Sequence, residues 1–279
     1  MSENIVSKYL QSEELFFFLG PCVIENESIM MEAGEQIAQL RDKLELNVVF
    51  KSSFDKANRT SLDSYRGPGL DEGLKLLQQV GQQFDLPLIT DIHLPDQAAP
   101  AAEVVDALQV PAFLSRQTDI LVAAAKTGLP VNVKKGQFLD PGSARHTMNK
   151  VLQTSPLSRH AITERGNFFG YNRWVVDMRN LVDMRADDIA VIYDATHSIQ
   201  TPGGKGGESG GDRRFIFPLA RAAVATGVDG LFLETHPRVD EALCDAENML
   251  PLEDAEKVIT KLLEINEVIK RRSHNDTRK

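Results

Sequence analysis

Short apolar or β-branched runs punctuate the chain, and each ends in a polar cluster before a stretch with helical periodicity begins. The runs are LFFFLG (15–20), NVVFKS (47–52), LPLITDI (86–92) and ALQVPAF (107–113), then LPVNVKK (129–135), HAITE (160–164), IAVIYDA (189–195) and DGLFLET (229–235). After the first, Ile29, Ala33, Ile37, Leu40 and Leu44 recur at three- and four-residue spacing, the mark of one helix face. LDEGLKLLQQVGQQF and DILVAAAKTG carry similar patterns, the latter opened by Thr118-Asp119 and closed by Gly128. Strand-helix alternation of this kind implies right-handed βαβ units and a parallel sheet, and eight units predict a closed (β/α)₈ TIM barrel. The expected organisation is one α/β domain over residues 15–271, with a pre-barrel segment at 1–14 and a polar tail at 272–279. An open doubly wound sheet is the alternative, but no composition shift or Pro/Ser-rich linker divides the chain.

Composition narrows the function classes. The chain has 279 residues, 42% of them hydrophobic, and a formal net charge of -9, which argues against a broad nucleic-acid-binding surface. Any phosphate chemistry is expected to be local. No apolar run approaches the roughly 20 residues that span a bilayer, and acids stand where a signal peptide carries basic residues, so a cytoplasmic protein is expected. Two cysteines cannot build a disulfide framework, and both are expected as thiols. Cys22, directly after Gly20-Pro21, is then either a small buried hydrophobe or a ligand or nucleophile at a strand end.

Active sites of this fold lie where strands end at the C-terminal face. There the sequence supplies Cys22; Lys51, Ser53, Lys56, Asn58 and Arg59; Asp91 and His93; Arg116; Lys134 and Lys135; Glu164 and Arg165; Asp194 and His197; and Glu234 and His236. Several Lys and Arg groups facing one mouth suit an anionic substrate. In NVKKG, alternation along a strand sends only one of the two lysines inward, and that one could instead form a Schiff base. Six glycines between Gly203 and Gly211 fit either a phosphate-holding loop or a mobile lid, and they lack the GK[ST] ending of a P-loop. Cys22, His197, Glu234 and Asp245 offer sulfur, nitrogen and carboxylate donors, suited to Zn²⁺ or Fe²⁺ rather than Mg²⁺. Cys244 adjoins Asp245, which brings it near Cys22 if that cluster forms.

Taken together, GPC, FKSSFDKANRTS, ITDIH, QVPAFLSRQTD, VNVKKGQF, TERG, DATHS and ETHP closely resemble the 3-deoxy-D-manno-octulosonate 8-phosphate synthase family, from about Phe16 to about Ile269. KANR (56–59) is the most telling piece, since the sibling heptulosonate 7-phosphate synthases carry a Lys-Pro-Arg pattern there. The resemblance implies condensation of phosphoenolpyruvate with D-arabinose 5-phosphate and water, releasing phosphate on the way to the lipopolysaccharide sugar Kdo. It implies a phosphoenolpyruvate site at Ser53, Lys56, Gln109, Lys134 and Arg165, and a sugar-phosphate site at Lys51, Asn58, Arg59 and Asp91. Arg116 is implied to reach the sugar phosphate of a neighbouring subunit in a homotetramer, and Lys56, Lys134 and His197 are the expected catalytic groups. The metal-requiring kind of the family has cysteine where the other has asparagine, so Cys22 implies a divalent ion on Cys22, His197, Glu234 and Asp245. Zn, Fe, Mn, Co or Cd could fill such a site. The glycine-rich stretch is implied to be a lid. Pro141-Gly142 replaces a Pro-Trp pair common in relatives, which bears on how the next helix starts. Rival readings are the heptulosonate reaction with erythrose 4-phosphate, a Schiff-base aldolase using Lys134, and a non-catalytic sugar-phosphate sensor.

Overall fold

All eight apolar runs form strands that pair side by side in chain order: β1 (Phe16–Gly20), β2 (Asn47–Lys51), β3 (Leu88–Asp91), β4 (Ala107–Val110), β5 (Val131–Lys134), β6 (His160–Glu164), β7 (Ile189–Asp194) and β8 (Gly230–His236). Every neighbouring pair is parallel, and β8 also pairs with β1 from Phe16↔Gly230 to Gly20↔Glu234. The sheet therefore closes into the expected (β/α)₈ barrel rather than staying open. This computed structural model describes residues 4–59, 61–169, 172–202 and 210–276, with side chains as far as residue 270.

Nine helices accompany the strands among the described residues: α1 (Ile5–Gln11), α2 (Glu27–Leu44), α3 (Leu70–Phe84), α4 (Ala98–Ala102), α5 (Thr118–Lys126), α6 (Pro141–Thr154), α7 (Arg179–Asp183), α8 (Ile216–Thr226) and α9 (Leu252–Asp276). None is long and apolar enough to cross a membrane. The helix that begins at Pro141-Gly142 starts regularly: the Asp140 side chain accepts from Ser143 N, and Pro141 takes the first turn, where its missing N–H is no loss. Asn26 caps α2 in the same way.

Two apolar layers follow from strand geometry. Side chains facing the helices, such as Phe17, Leu19, Val48, Phe50, Leu108 and Val133, join Ile37, Leu77 and Leu121 in one large core. Those facing inward, including Phe16, Phe18, Val49, Ile89, Ile192 and Phe232, form a separate cluster with Val6 and Leu10 of α1. The interior is thus a packed plug, each full burial of such a side chain contributing about 1.5–3 kcal/mol. Asn4 helps seat α1, accepting from Ser7 N and donating to the Asp106 carbonyl ahead of β4. Of the glycine-rich stretch, residues 203–209 lie outside the described residues, as do 277–279 of the polar tail and 1–3 of the pre-barrel segment. Gly210–Gly211 pairs antiparallel with Gln200–Thr201.

His160 opens β6 in a fully buried position, its Nδ1 accepting from Val131 N at 3.0 Å. Burial pushes its pKa down to about 4. Between an ordinary value of about 6.5 and this native value the unfolded chain binds a proton that the native state refuses, so stability falls as pH drops through that window. The loss assigned to His160 is on the order of 2–3 kcal/mol. Urea unfolding across pH 4–7 should show a shallower acid slope in His160→Gln than in the parent, whereas identical slopes would show that His160 contributes nothing to the acid loss.

Candidate active site at the C-terminal mouth

The mouth begins with a close approach of β1 to β2. Gly20 has φ +150°, and a Cβ there would collide with the Lys51 carbonyl oxygen, so only glycine lets the chain pass. The loops beyond are then stitched together: Ser52 Oγ donates to Pro21 O at 3.0 Å, Ile24 N to Ser53 O at 2.9 Å, and Lys51 Nζ to Cys22 O at 3.3 Å. Cys22 is held in a fixed, buried place by this stitching.

A chain of alternating charge crosses the mouth from β5 to β3. Lys134 Nζ donates to Asp194 Oδ2, and the same oxygen meets His197 Nδ1 at 2.8 Å. Asp194 Oδ1 accepts from the backbone N–H groups of Thr196 and His197 at 3.1 and 2.8 Å. With its Nδ1 proton on Asp194, His197 turns Nε2 toward Glu234 Oε2, 3.5 Å away. Glu234 Oε1 lies 3.3 Å from Lys51 Nζ and 3.7 Å from Lys56 Nζ. Lys51 also donates to Ser53 Oγ at 2.8 Å; the Ser53 hydroxyl donates to Asp91 Oδ1, and Asp91 Oδ2 meets His93 Nε2 at 3.1 Å.

Burial alone would raise the carboxyl pKa values, but the neighbouring imidazole, ammonium and guanidinium groups outweigh it. His197, Lys134 and Arg165 hold Asp194 well below the usual carboxylate range, and His197, Lys56 and Lys51 bring Glu234 down to about 2. For Lys134 burial wins over Asp194, and with Arg165 and Lys51 nearby its ammonium falls to about 8. Its Nζ also sits 3.0 Å from the centroid of the Phe232 ring, a cation–π contact that adds little hydration.

These groups border a cavity of about 540 Å³. Of the residues singled out in the sequence, Lys51, Lys56, Asn58, Arg59, Asp91, His93, Gln109, Lys134, Arg165, His197, Cys244 and Asp245 line it. Ser53, Cys22 and Glu234 are buried behind its wall. Arg116 is exposed ahead of α5 and does not line the cavity. Lys135 faces away, bonded to Asn167 Oδ1 at 2.8 Å and Leu139 O at 3.1 Å, with Glu164 at 3.4 Å, so alternation does separate the two lysines. Two wall residues carry more than the sequence suggested. Asp194 is the hub of the charge chain, and Gln200, which no motif marked, bonds both Arg165 and Asp245. The only sequence sign of Gln200 is its place three residues after His197, where a 3₁₀ turn brings it back to the mouth.

Metal-competent donors meet at the same wall. His197, Glu234 and Asp245 place ligand atoms within 4.8 Å of one another, as do Cys22, Cys244 and Asp245, so Asp245 joins the two groups. Glu234 Oε2 is buried without a hydrogen-bond partner and faces a histidine nitrogen, an arrangement that a cation between them resolves. The donor set therefore fits a divalent ion of the Zn²⁺ or Fe²⁺ type. Cys244 Sγ stands 3.1 Å from Cys22 Sγ and accepts from Arg59 Nη1 at 2.9 Å, and both cysteines are free thiols.

Fold and mouth define a class: a (β/α)₈ barrel enzyme for a small anionic substrate, with a donor cluster able to hold a divalent metal. The sequence profile described as the DAHP synthetase I family matches residues 10–271. A 2-dehydro-3-deoxyphosphooctonate aldolase of Desulfatibacillum aliphaticivorans is 54% identical over 90% of this chain and 92% of its own. Proteins of the same name from Geobacter metallireducens and Campylobacter jejuni are 51% and 50% identical, covering 93% and 92% of this chain and 95% and 98% of theirs. The chain belongs to the DAHP synthetase I family and, within it, to the 2-dehydro-3-deoxyphosphooctonate aldolase group.

Removing one partner of a buried ion pair leaves the other charge uncompensated, at a cost of about 3–5 kcal/mol. Asp194→Asn should lower the urea-derived unfolding free energy of the metal-free protein by that order, and its midpoint with it, whereas Asp177→Asn, whose partner Arg179 stands in solvent, should leave both in place. Equal midpoints for Asp194→Asn and the parent would contradict the hub role.

Proposed function

We propose that the chain condenses phosphoenolpyruvate with D-arabinose 5-phosphate and water to give 3-deoxy-D-manno-octulosonate 8-phosphate and inorganic phosphate, a step toward Kdo and lipopolysaccharide. The observation that carries this reading is the convergence of Lys51, Lys56, Arg59, Lys134 and Arg165 on one cavity in a chain about half identical to relatives of that name. Such a set of cations matches two phosphorylated substrates, one of which also bears a carboxylate.

Ser53, Lys56, Gln109, Lys134 and Arg165 are assigned to phosphoenolpyruvate. Arg165 and the two lysines hold its anionic ends by charge-assisted hydrogen bonds, and Gln109, already fixed by Asn132 at 3.0 Å, adds a neutral contact. Lys51, Asn58, Arg59 and Asp91 are assigned to the sugar phosphate, and Arg116 to the sugar phosphate of a neighbouring subunit in a homotetramer. Holding both substrates turns a bimolecular encounter into a positioned one. C3 of phosphoenolpyruvate then bonds to the aldehyde carbon, water adds at C2, and the resulting tetrahedral carbon breaks its C–O bond to phosphate. Of the two protons of the attacking water, one ends on the former aldehyde oxygen, and the C2 hydroxyl gives up the other to the departing phosphate as the ketone forms. Lys134, with its pKa near 8 at the cavity wall, is suited to exchanging such a proton near neutral pH.

Cys22, His197, Glu234 and Asp245 would hold the divalent ion, with Asp194 orienting His197 through Nδ1. The chemistry that such an ion supplies when bound is polarisation and orientation of an oxygen ligand. Lys51 and Lys56 meanwhile keep Glu234 ionised.

Phosphate release from phosphoenolpyruvate tests the whole reading. It is expected with arabinose 5-phosphate, to be at least tenfold slower with erythrose 4-phosphate, and to stop with a chelator and resume on adding Mn²⁺, Zn²⁺ or Cd²⁺. Equal rates with the two sugars would overturn the assigned acceptor, and full activity in chelator would overturn the metal requirement.

A further inference from the structure

Arg165 and Asp245 lie within electrostatic reach of each other across the cavity wall, and nothing about their charges keeps them from pairing directly. The Gln200 side chain lies between them. Its Oε1 accepts from Arg165 Nη2 at 2.8 Å and from Trp174 Nε1 at 3.4 Å, while its Nε2 donates to Asp245 Oδ1 at 3.2 Å. Turning the amide over would set its NH₂ against two donors and its oxygen against a carboxylate, so three partners fix a single orientation. The residue is buried, and its backbone is held by pairing with Gly211, where a Cβ would run into the Asn248 side chain.

We propose that Gln200 is a positioning residue that holds Arg165 and Asp245 apart, so that the guanidinium stays available to an anion and the carboxylate to a divalent ion. An Arg165–Asp245 pair would satisfy both charges without either ligand, and each ligand would then have to break it to bind. With the amide in place, Asp245 spends only Oδ1 on Gln200 and keeps Oδ2, which lies 3.4 Å from Cys22 Sγ, on the metal-competent side. Arg165 likewise spends one Nη2 contact, and its buried Nε has no hydrogen-bond partner among the described residues. A neutral spacer thereby divides the wall into an anion end and a metal end. That the anion is phosphoenolpyruvate rests on the function proposed above; the division itself rests on the hydrogen bonds.

The test compares the parent protein with Gln200→Leu, and with Gln200→Met in case the leucine form does not fold. Cd²⁺ affinity is read by competition with a chromophoric chelator, and phosphoenolpyruvate affinity by the fluorescence of Trp174, the one tryptophan in the chain. Both variants should bind Cd²⁺ at least about tenfold more weakly, the loss typical when a partner of a metal ligand is removed. Phosphoenolpyruvate should then restore Cd²⁺ affinity in the variants by a factor about fivefold or more larger than in the parent, because an anion on Arg165 releases Asp245. Cd²⁺ affinity within twofold of the parent would overturn the proposal, as would a loss unaccompanied by added coupling, which is what mere loosening would give. If the parent binds Cd²⁺ but not phosphoenolpyruvate, the assigned substrate fails, and the Cd²⁺ comparison alone decides for or against Gln200.

Discussion

An ion removed from water costs several kcal/mol unless a partner compensates it, and the mouth of this barrel meets that requirement with alternation of sign. Lys134, Asp194, His197, Glu234 and Lys51 follow one another across strands β5, β7, β8 and β2. Removing Asp194 or Glu234 takes a counter-charge from the lysines beside it. The apolar plug beneath them, with Phe232 against Lys134, excludes water and sharpens every interaction in the chain. Negative net charge over the whole protein, -9, therefore coexists with five cations lining the cavity, among them Lys51 and Lys134 paired with buried carboxylates. Anionic substrates find their positive partners already fixed in place, which is the arrangement that preorganised binding needs.

The two adjacent lysines show how one strand divides its labour. Lys135 is bonded on all sides by carbonyls, Asn167 and Glu164, and holds the β5 and β6 loops in place. Lys134 has a single carboxylate and an aromatic face, with the cavity on its remaining side. Both are buried and both titrate below the ordinary lysine value, yet only the incompletely partnered one can turn to a ligand.

The barrel was legible because its strands are buried on both faces and so read as unbroken apolar runs. α2, α3 and α5 were legible through their periodicity, whereas α4 and α7, each a five-residue helix, are too short to show one. The side chains that end strands were also open to reading, since the fold dictates that those positions share a mouth. What could not be read was pairing. Asp194 stood at a strand end like several other acids, and only coordinates reveal that Lys134 and His197 share one of its oxygens. Gln200 was invisible because its place depends on the turn after β7, not on any spacing of like residues. The start of α6 at Pro141-Gly142, which the sequence left open, is regular because Asp140 supplies the cap.

With Asp245 joining the two donor groups, the charge chain and the metal-competent donors form one site. Anomalous diffraction from crystals soaked in Cd²⁺ tests this most directly. One dominant peak is expected, bounded by Cys22 Sγ, His197 Nε2, Glu234 and Asp245, at about 2.0–2.6 Å from the ligand atoms. A peak bound only by surface carboxylates, or a Cys22 left outside the coordination shell, would contradict it.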